Sequence, residues 1–269
     1  MVFVDLDLAR QLEGIEAWWA SEFARVRQEI RPEADTAVVR VAGGYACFLG
    51  EGAPINEAKG MGMDGPVSVA DFEAMERVFF DRKVTAKVMV CPLADPSLLQ
   101  GLASRGYRSH EFEDVLYRVL DPSEEFPSTP EGIELGWASL DEVAICGETL
   151  ARGFVAPDEP DEALLGLFEI SSMIAGTAGL LAKIQGLPAG AASLLIRDGL
   201  AMLGGAWTLP IYRNRGIQTA LSHARLGFAS KSGCIFAVVG AVPGSTSHRN
   251  AERLGFRVAY TKLALLRDP

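Results

Sequence analysis

The 269-residue sequence is short of histidine, of paired cysteine and of positive charge. Only His110, His223 and His248 occur, with no clustered ligand spacing, so no structural or catalytic metal site is expected. Cys47, Cys91, Cys146 and Cys234 are widely scattered, form no C-x-x-C pair and lie in or beside apolar runs. That pattern argues against a disulfide framework and predicts buried, reduced thiols. No apolar run reaches the roughly 20 residues needed to span a bilayer. The first ten residues, M-V-F-V-D-L-D-L-A-R, have early acids and no sustained apolar core, unlike a signal peptide. A soluble, cytoplasmic protein is expected. The net charge of −10 makes the protein a poor general nucleic-acid binder. That charge is uneven: from Glu131 onward 12 Lys and Arg face 13 Asp and Glu, so nearly all the surplus acid lies in the first 130 residues. The pairs Arg213/Arg215 and Arg249/Arg253 stand out against this background.

What is present is a globular composition, 49% hydrophobic, with room for two domains. Leu8, Leu12, Ile15, Trp19, Phe23, Val26 and Ile30 recur at three- and four-residue steps and predict an amphipathic helix over 5–30, stopped by Pro32. Trp19 lies on that apolar stripe, so packing explains the Trp18–Trp19 pair better than a ligand stack. Thr36–Val41 and Tyr45–Leu49 flank Gly43–Gly44 as a hairpin. Residues 60–65, G-M-G-M-D-G, match the dinucleotide fingerprint in form. The polar N-E-A-K before them does not read as a strand, and Pro66 and Ser68 separate the last glycine from the next helix, so the match is rejected. Ser68 with Asp71 caps a helix over 69–82; a strand over 84–91, a short helix after Asp95-Pro96 and an extended run from Tyr107 to Val119 follow.

The Pro-, Ser- and acid-rich stretch 121–130 is the best linker, dividing the chain at 1–122 and 131–269. Beyond it the pattern predicts a strand at 133–137, a helix opened by Ser139 and Asp141, an acidic turn over 156–162, a helix ending near Met173, and three strands to Leu209. A helix to Lys231, a strand over 234–240, a short helix capped by Ser245 and a strand from Phe256 close the chain. The two halves share an order of elements, and the spacings Gly65–Gly106 (41 residues) and Gly216–Gly255 (39) agree with a duplication.

The stretch W-T-L-P-I-Y-R-N-R-G-I-Q-T, Trp207 to Thr219, places a strand end, a cationic turn and a helix start in direct succession. Free backbone N–H groups and the positive end of a helix dipole meet there, which suits a polyanion such as a pyrophosphate. The counterpart near Gly65 has no Arg and is interrupted by Pro66, so its anion site is expected to be absent.

P-I-Y-R-N-R-G-I-Q-T-A-L resembles the acyl-CoA-binding loop of the GNAT superfamily of N-acyltransferases, R/Q-x-x-G-x-G/A before a helix, with Gln218 in place of the usual small third residue. L-G-F at Leu254–Phe256 resembles the superfamily's closing motif. The resemblance implies an α/β (α+β) protein of two GNAT-like domains, each a mixed, mostly antiparallel central sheet flanked by helices, the first a degenerate copy. It implies acetyl-CoA or a similar acyl-CoA as co-substrate, held by Thr208 and Leu209 at the strand end, by Arg213, Asn214, Arg215, Gly216, Ile217, Gln218 and Thr219 in the loop, and by Asn250 on the short helix. The acceptor would be an amine of a small molecule or peptide, with no nucleic acid or membrane partner and a homodimer left open.

The implied reaction is direct attack of the amine on the thioester, which needs a base for the amine proton and an acid for the thiolate. The family's frequent Tyr before the closing G-F is Ala251 here, and its frequent Asn is Gly244. Ser247 and Tyr260 are the substitutes for the acid, with His248 read as a solvated helix residue. Glu169, in the apolar segment F-E-I-S-S-M, is the candidate base. The alternative is a non-catalytic acyl-CoA-binding module.

Overall fold

The Asp5 carboxylate accepts from the Leu8 amide at 2.9 Å and so starts the first helix, α1 (Leu6–Ile30). Of the expected stripe Leu8, Leu12, Ile15, Phe23 and Val26 are buried, Ile30 at the helix end is exposed, and Trp19 packs edge-on against Phe23 with ring centroids 4.7 Å apart. Glu13 and Glu16 are buried on the same helix, which the apolar periodicity does not reveal. The computed structural model describes residues 3–155 and 158–269.

The hairpin forms from β1 (Ala37–Val41) and β2 (Gly44–Phe48), turning through Ala42 and Gly43, both at positive φ. The polar N-E-A-K is a strand after all, β3 (Glu57–Lys59). Its charges explain why the pattern misleads: Glu57 is buried and pairs with Lys59 at 3.0 Å, so neither demands water. The helix α2 (Val69–Phe80) opens on a capping box, in which Ser68 and Asp71 each accept from the other's amide. Then come β4 (Ala86–Val90), α3 (Pro96–Ser104) capped by Asp95, and β5 (Arg108–Val119). Residues 121–130 form neither helix nor strand.

The second half runs through β6 (Glu134–Trp137), a 3-10 turn at Leu140–Glu142, α4 (Val143–Val155) and α5 (Glu162–Met173). Residues 156 and 157, the start of the acidic turn, lie outside the described residues. Three strands follow, β7 (Thr177–Ile184), β8 (Leu187–Arg197) and β9 (Leu200–Thr208). The chain ends with α6 (Ile217–Lys231), β10 (Phe236–Ala241), α7 (Thr246–Arg253) and β11 (Arg257–Arg267).

Two compact units result. One holds the residues up to 117 together with 240–269, the other 118–239. The first has the strand order β1-β2-β3-β4-β11-β5, the second β10-β9-β8-β7-β6. In each, one neighbouring pair is parallel, β3 with β4 and β9 with β10, and the other pairs are antiparallel. A loop and a helix join each parallel pair, as such a connection requires. The repeated element order is therefore present in the topology.

The units differ from the linear division at 122 and 131. The closing segment packs in the first unit because β11 is hydrogen-bonded along both edges. It meets β4 from Leu263↔Val90 to Arg267↔Ala86, and β5 from Arg257↔Tyr117 to Leu266↔Arg108. Satisfying two rows of backbone groups on an 11-residue strand outweighs nearness in sequence. In the second unit small residues bring α4 close to the sheet: a Cβ on Gly153 would stand 2.3 Å from the Trp207 Cβ, and one on Gly179 2.8 Å from the Cys146 Sγ. All four cysteines are buried and free.

Candidate functional site

The parallel ladder of the second unit ends at Met202↔Val238. Strand β9 continues for six residues beyond it to Thr208, held on its other edge by β8. Trp207 anchors this length of strand, packing edge-on against Phe154 with centroids 5.5 Å apart. At its end the Thr208 hydroxyl is buried without a protein partner among the described residues. Both backbone groups of Leu209 are engaged: the amide donates to Ala189 O and the carbonyl accepts from Tyr212 N, each at 2.9 Å. Leu209 therefore offers a ligand less than the sequence predicts.

A 3-10 turn at Pro210–Tyr212 leads to Arg213, Asn214 and Arg215, all exposed. The turn is closed by two residues at positive φ, Asn214 at 62° and Gly216 at 82°. Glycine takes that conformation without penalty, and Asn more readily than most residues. Gly216 is also the N-cap of α6, so no side chain accepts from the first-turn amides. The first intrahelical bond is Ala220 N to Gly216 O at 3.0 Å, which leaves the amides of Ile217, Gln218 and Thr219 at the open end of the helix. The Arg215 guanidinium lies 5.8 Å from the centre of the Tyr212 ring. Open amides and the positive end of the helix dipole thus meet at one exposed point, directly after two exposed arginines in the chain.

The corresponding loop of the first unit is arranged otherwise. The Gly62 amide donates to Ala42 O at 2.8 Å, Arg10 Nε donates to Met63 O at 2.8 Å, and the Ser68 amide is taken by Asp71. An acidic side chain, Asp64, stands in the same loop, 3.9 Å from Arg10. Two backbone donors of this loop, the Gly62 and Ser68 amides, are thus taken by acceptors of the protein itself.

The second unit also holds a small, half-open cleft between α4, α5 and the β7–β8 face, lined by Cys146, Phe168, Ser171, Thr177 and Ser193 among others, with no charged side chain in its wall. Burial pushes the Cys146 thiol up to about 11, so it is protonated at neutral pH. One cation lies behind the strands where the helical pattern gives no hint of it: Arg225 of α6, buried against β8 and β9. A charged residue between apolar neighbours reads as surface in sequence, and only the tertiary contact reveals it.

The proposed proton carriers and Asn250 fall in different surroundings. Glu169 is exposed on α5 of the second unit, whereas Ser247, Asn250 and Tyr260 belong to the first. Ser247 is exposed on α7, and Asn250 accepts from Arg253 Nη1 at 3.0 Å. Tyr260 is buried and its hydroxyl donates to Glu13 at 2.8 Å. Burial first, and then the Glu13 and Glu16 charges, raise its pKa. His248 is not the solvated residue its position predicts. Its Nδ1 accepts from the Gly244 amide at 3.0 Å and lies 3.2 Å from the buried Asp114.

No protein-family model matches the sequence, and no curated protein matches it. The fold does have solved counterparts. It is similar to a tandem GNAT protein from the clavulanic acid biosynthesis pathway, with a TM-score of 0.64 and 16% identity over 92% of this chain and 87% of that one. It is also similar to a GCN5-related N-acetyltransferase from Kribbella flavida, with a TM-score of 0.61 and 19% identity over 93% and 95% of the two chains. A third, a GCN5-related N-acetyltransferase from Sphaerobacter thermophilus, has a TM-score of 0.58 and 19% identity over 73% of this chain, which spans 66% of that protein's length. The fold is that of the GCN5-related N-acetyltransferases. Two GNAT-like domains, each a mixed, mostly antiparallel sheet flanked by helices, account for the chain.

Proposed function

We propose that the protein transfers an acetyl or other short acyl group from acyl-CoA to an amine of a small molecule or peptide. The observation that carries this reading is the turn at Asn214–Gly216, which opens α6 on a glycine, leaves its first-turn amides uncapped and follows directly on Arg213 and Arg215. A CoA pyrophosphate is a dianion of the right size for that point. The pantetheine would run along the length of β9 that has lost its parallel neighbour, with the Thr208 hydroxyl as a donor. The sequence duplication would make residues 1–122 the degenerate copy and 131–269 the acyl-CoA-binding copy, with the closing strand packed in the first unit.

In the reaction the amine nitrogen attacks the thioester carbonyl carbon, the C–S bond breaks, and the thiolate leaves with a proton while the amine loses one. A CoA thiol is a tolerable leaving group near neutral pH, so a dedicated acid is not obligatory. Glu169, Ser247 and Tyr260 are each to be substituted singly as a test for a part in proton transfer. Tyr260 has its hydroxyl committed to Glu13 and is the weakest of the three.

Calorimetric titration of acetyl-CoA into wild type and the double variant Arg213→Ala/Arg215→Ala tests the site. Binding lost in the variant supports it, and equal affinity in the two sinks it. Thiol release from acetyl-CoA across a panel of amines then separates an enzyme from a module that only binds.

A further inference from the structure

Strands β8 and β9 lose register at one place. Ala192 faces Ala206 and Leu194 faces Leu203, so the single residue Ser193 stands opposite two, Gly204 and Gly205. A bulge of this kind takes backbone groups out of the ladder and turns the strand. Here both displaced carbonyls are gathered by one nitrogen: Arg225 Nη1 donates to Ser193 O at 3.0 Å and to Gly204 O at 3.1 Å. Its Nε donates to Leu221 O at 3.3 Å, and its Nη2 to Ser222 Oγ at 3.4 Å.

Arg225 is 2% exposed, and among the described residues of the second unit it is the one buried charged side chain. The first unit, by contrast, buries Glu13, Glu16, Glu57, Asp114 and Lys262 together. All four hydrogen-bond partners of Arg225 are neutral. Desolvation draws its pKa down to about 9, which still leaves it charged at neutral pH. An aliphatic residue would continue the apolar face that α6 presents with Ile217 and Leu221, without burying a charge. The need for a guanidinium therefore lies in the two carbonyls. Gly204 belongs to the same arrangement, because a Cβ there would stand 2.1 Å from Ser193 Oγ. The bulge also begins one residue after Leu203, just past the end of the β9–β10 ladder at Met202. It is the first feature of the strand length that the acyl-CoA reading gives to the thioester arm.

We propose that Arg225 is a positioning residue for acyl transfer: by holding Ser193 O and Gly204 O it locks the bulge, and the locked bulge sets the β9 backbone against which the acyl thioester lies. Arg225 touches no part of the ligand in this scheme; its effect travels through the strand. The proposal rests on the acyl-CoA reading and adds to it a determinant outside the loop.

The test compares two probes on folded protein: acetyl-CoA, which needs both loop and strand, and 3′-phospho-ADP, which carries the pyrophosphate but no pantetheine and needs the loop alone. Arg225→Gln should weaken acetyl-CoA ~10-fold or more while changing 3′-phospho-ADP by less than about twofold. Arg225→Lys, whose ammonium still donates to a carbonyl, should recover part of the loss. Gly204→Ala should reproduce the split from the opposite side of the bulge. Faster amide exchange at Gly205 in Arg225→Gln would report the loosened backbone directly. Equal affinities in wild type and variants overturn the proposal, as does an equal loss for both probes. If Arg225→Gln does not fold, the lysine and Gly204→Ala variants decide by the same split. A wild type that binds neither probe removes the acyl-CoA reading and this proposal together. A wild type that binds both, with variants that do not separate them, removes this proposal alone.

Discussion

Lys262 Nζ lies 2.6 Å from a Glu16 carboxylate oxygen and 3.0 Å from one of Glu13, and no part of Lys262 reaches solvent. The pair of glutamates comes from α1 and the lysine from β11, so the longest helix is tied to the closing strand by buried charge. Burial alone would lower the lysine pKa, but the charges of Glu13 and Glu16 outweigh it and raise the group above its usual value. Glu13 is raised by burial with Glu16 adding, whereas the Lys262 and Lys59 charges pull Glu16 below its usual value despite its burial. The three groups share one arrangement and will not tolerate the loss of the cation. Lys262→Met should cost about 3–5 kcal/mol, because buried Glu13 is left without a counter-ion and Glu16 keeps only Lys59, at 3.5 Å. Replacing Glu13 and Glu16 by apolar residues in the same protein should recover much of that loss. Urea unfolding of the single and triple variants checks both statements, and a single variant within ~1 kcal/mol of wild type would count against the network.

Tyr260 donates to the same Glu13, which makes the hydroxyl part of this network. Tyr260→Phe should lower stability by about 1–3 kcal/mol, since the buried carboxylate loses a donor. Acetyl-CoA turnover, measured on the folded fraction, should be unchanged. Lower turnover at unchanged stability would instead return Tyr260 to the proton transfer.

Glu142 gives a pH signature in the second unit. The Lys183 ammonium, followed by the amide and hydroxyl of Ser139, holds its carboxyl down at about 2 against a usual 4.5. A depressed acid contributes stability that is fully present above the unfolded value and is lost as pH falls through the folded one. Glu142→Gln should therefore be less stable than wild type at neutral pH, and the two should converge between pH 4.5 and about 2. Thermal melts over that range decide it; a constant difference at every pH would show that Glu142 acts by packing.

Local signals carried most of the fold: the 3.6-residue stripe of α1, the Ser68 and Ser245 caps, the glycine turns and the strand–loop–helix run at Thr208–Thr219 were all legible. What was hidden is charge used as interior. Glu13, Glu16, Glu57 and Arg225 look like surface residues, because a sequence does not show the partner that removes their need for water. The destination of β11 was hidden for a related reason. A strand states its own periodicity but not which edges it joins, and here Leu263 pairs with Val90 and Phe112, each well over a hundred residues away. The strand–turn–helix geometry at 208–219 was legible because its signals are local, whereas Arg225 donates to carbonyls 32 and 21 residues distant in the chain.

Gly216 and Gly106 provide a matched pair for the loop itself. Both sit at positive φ, 82° and 80°, and neither would crowd a Cβ severely: the Gly216 position meets Pro130 at 3.4 Å and the Gly106 position meets nothing within 4 Å. Alanine at either place should cost about 1 kcal/mol in stability from backbone conformation alone. Of the two, Gly216 alone is the N-cap of α6, so Gly216→Ala should also turn the first-turn amides and weaken acetyl-CoA, by about tenfold if one charge-assisted hydrogen bond is lost. Gly106→Ala, at the end of α3, should leave acetyl-CoA affinity alone. The two variants thus separate strain from recognition. Equal binding by both would mean that the helix start, for all its open amides, is not where the anion sits.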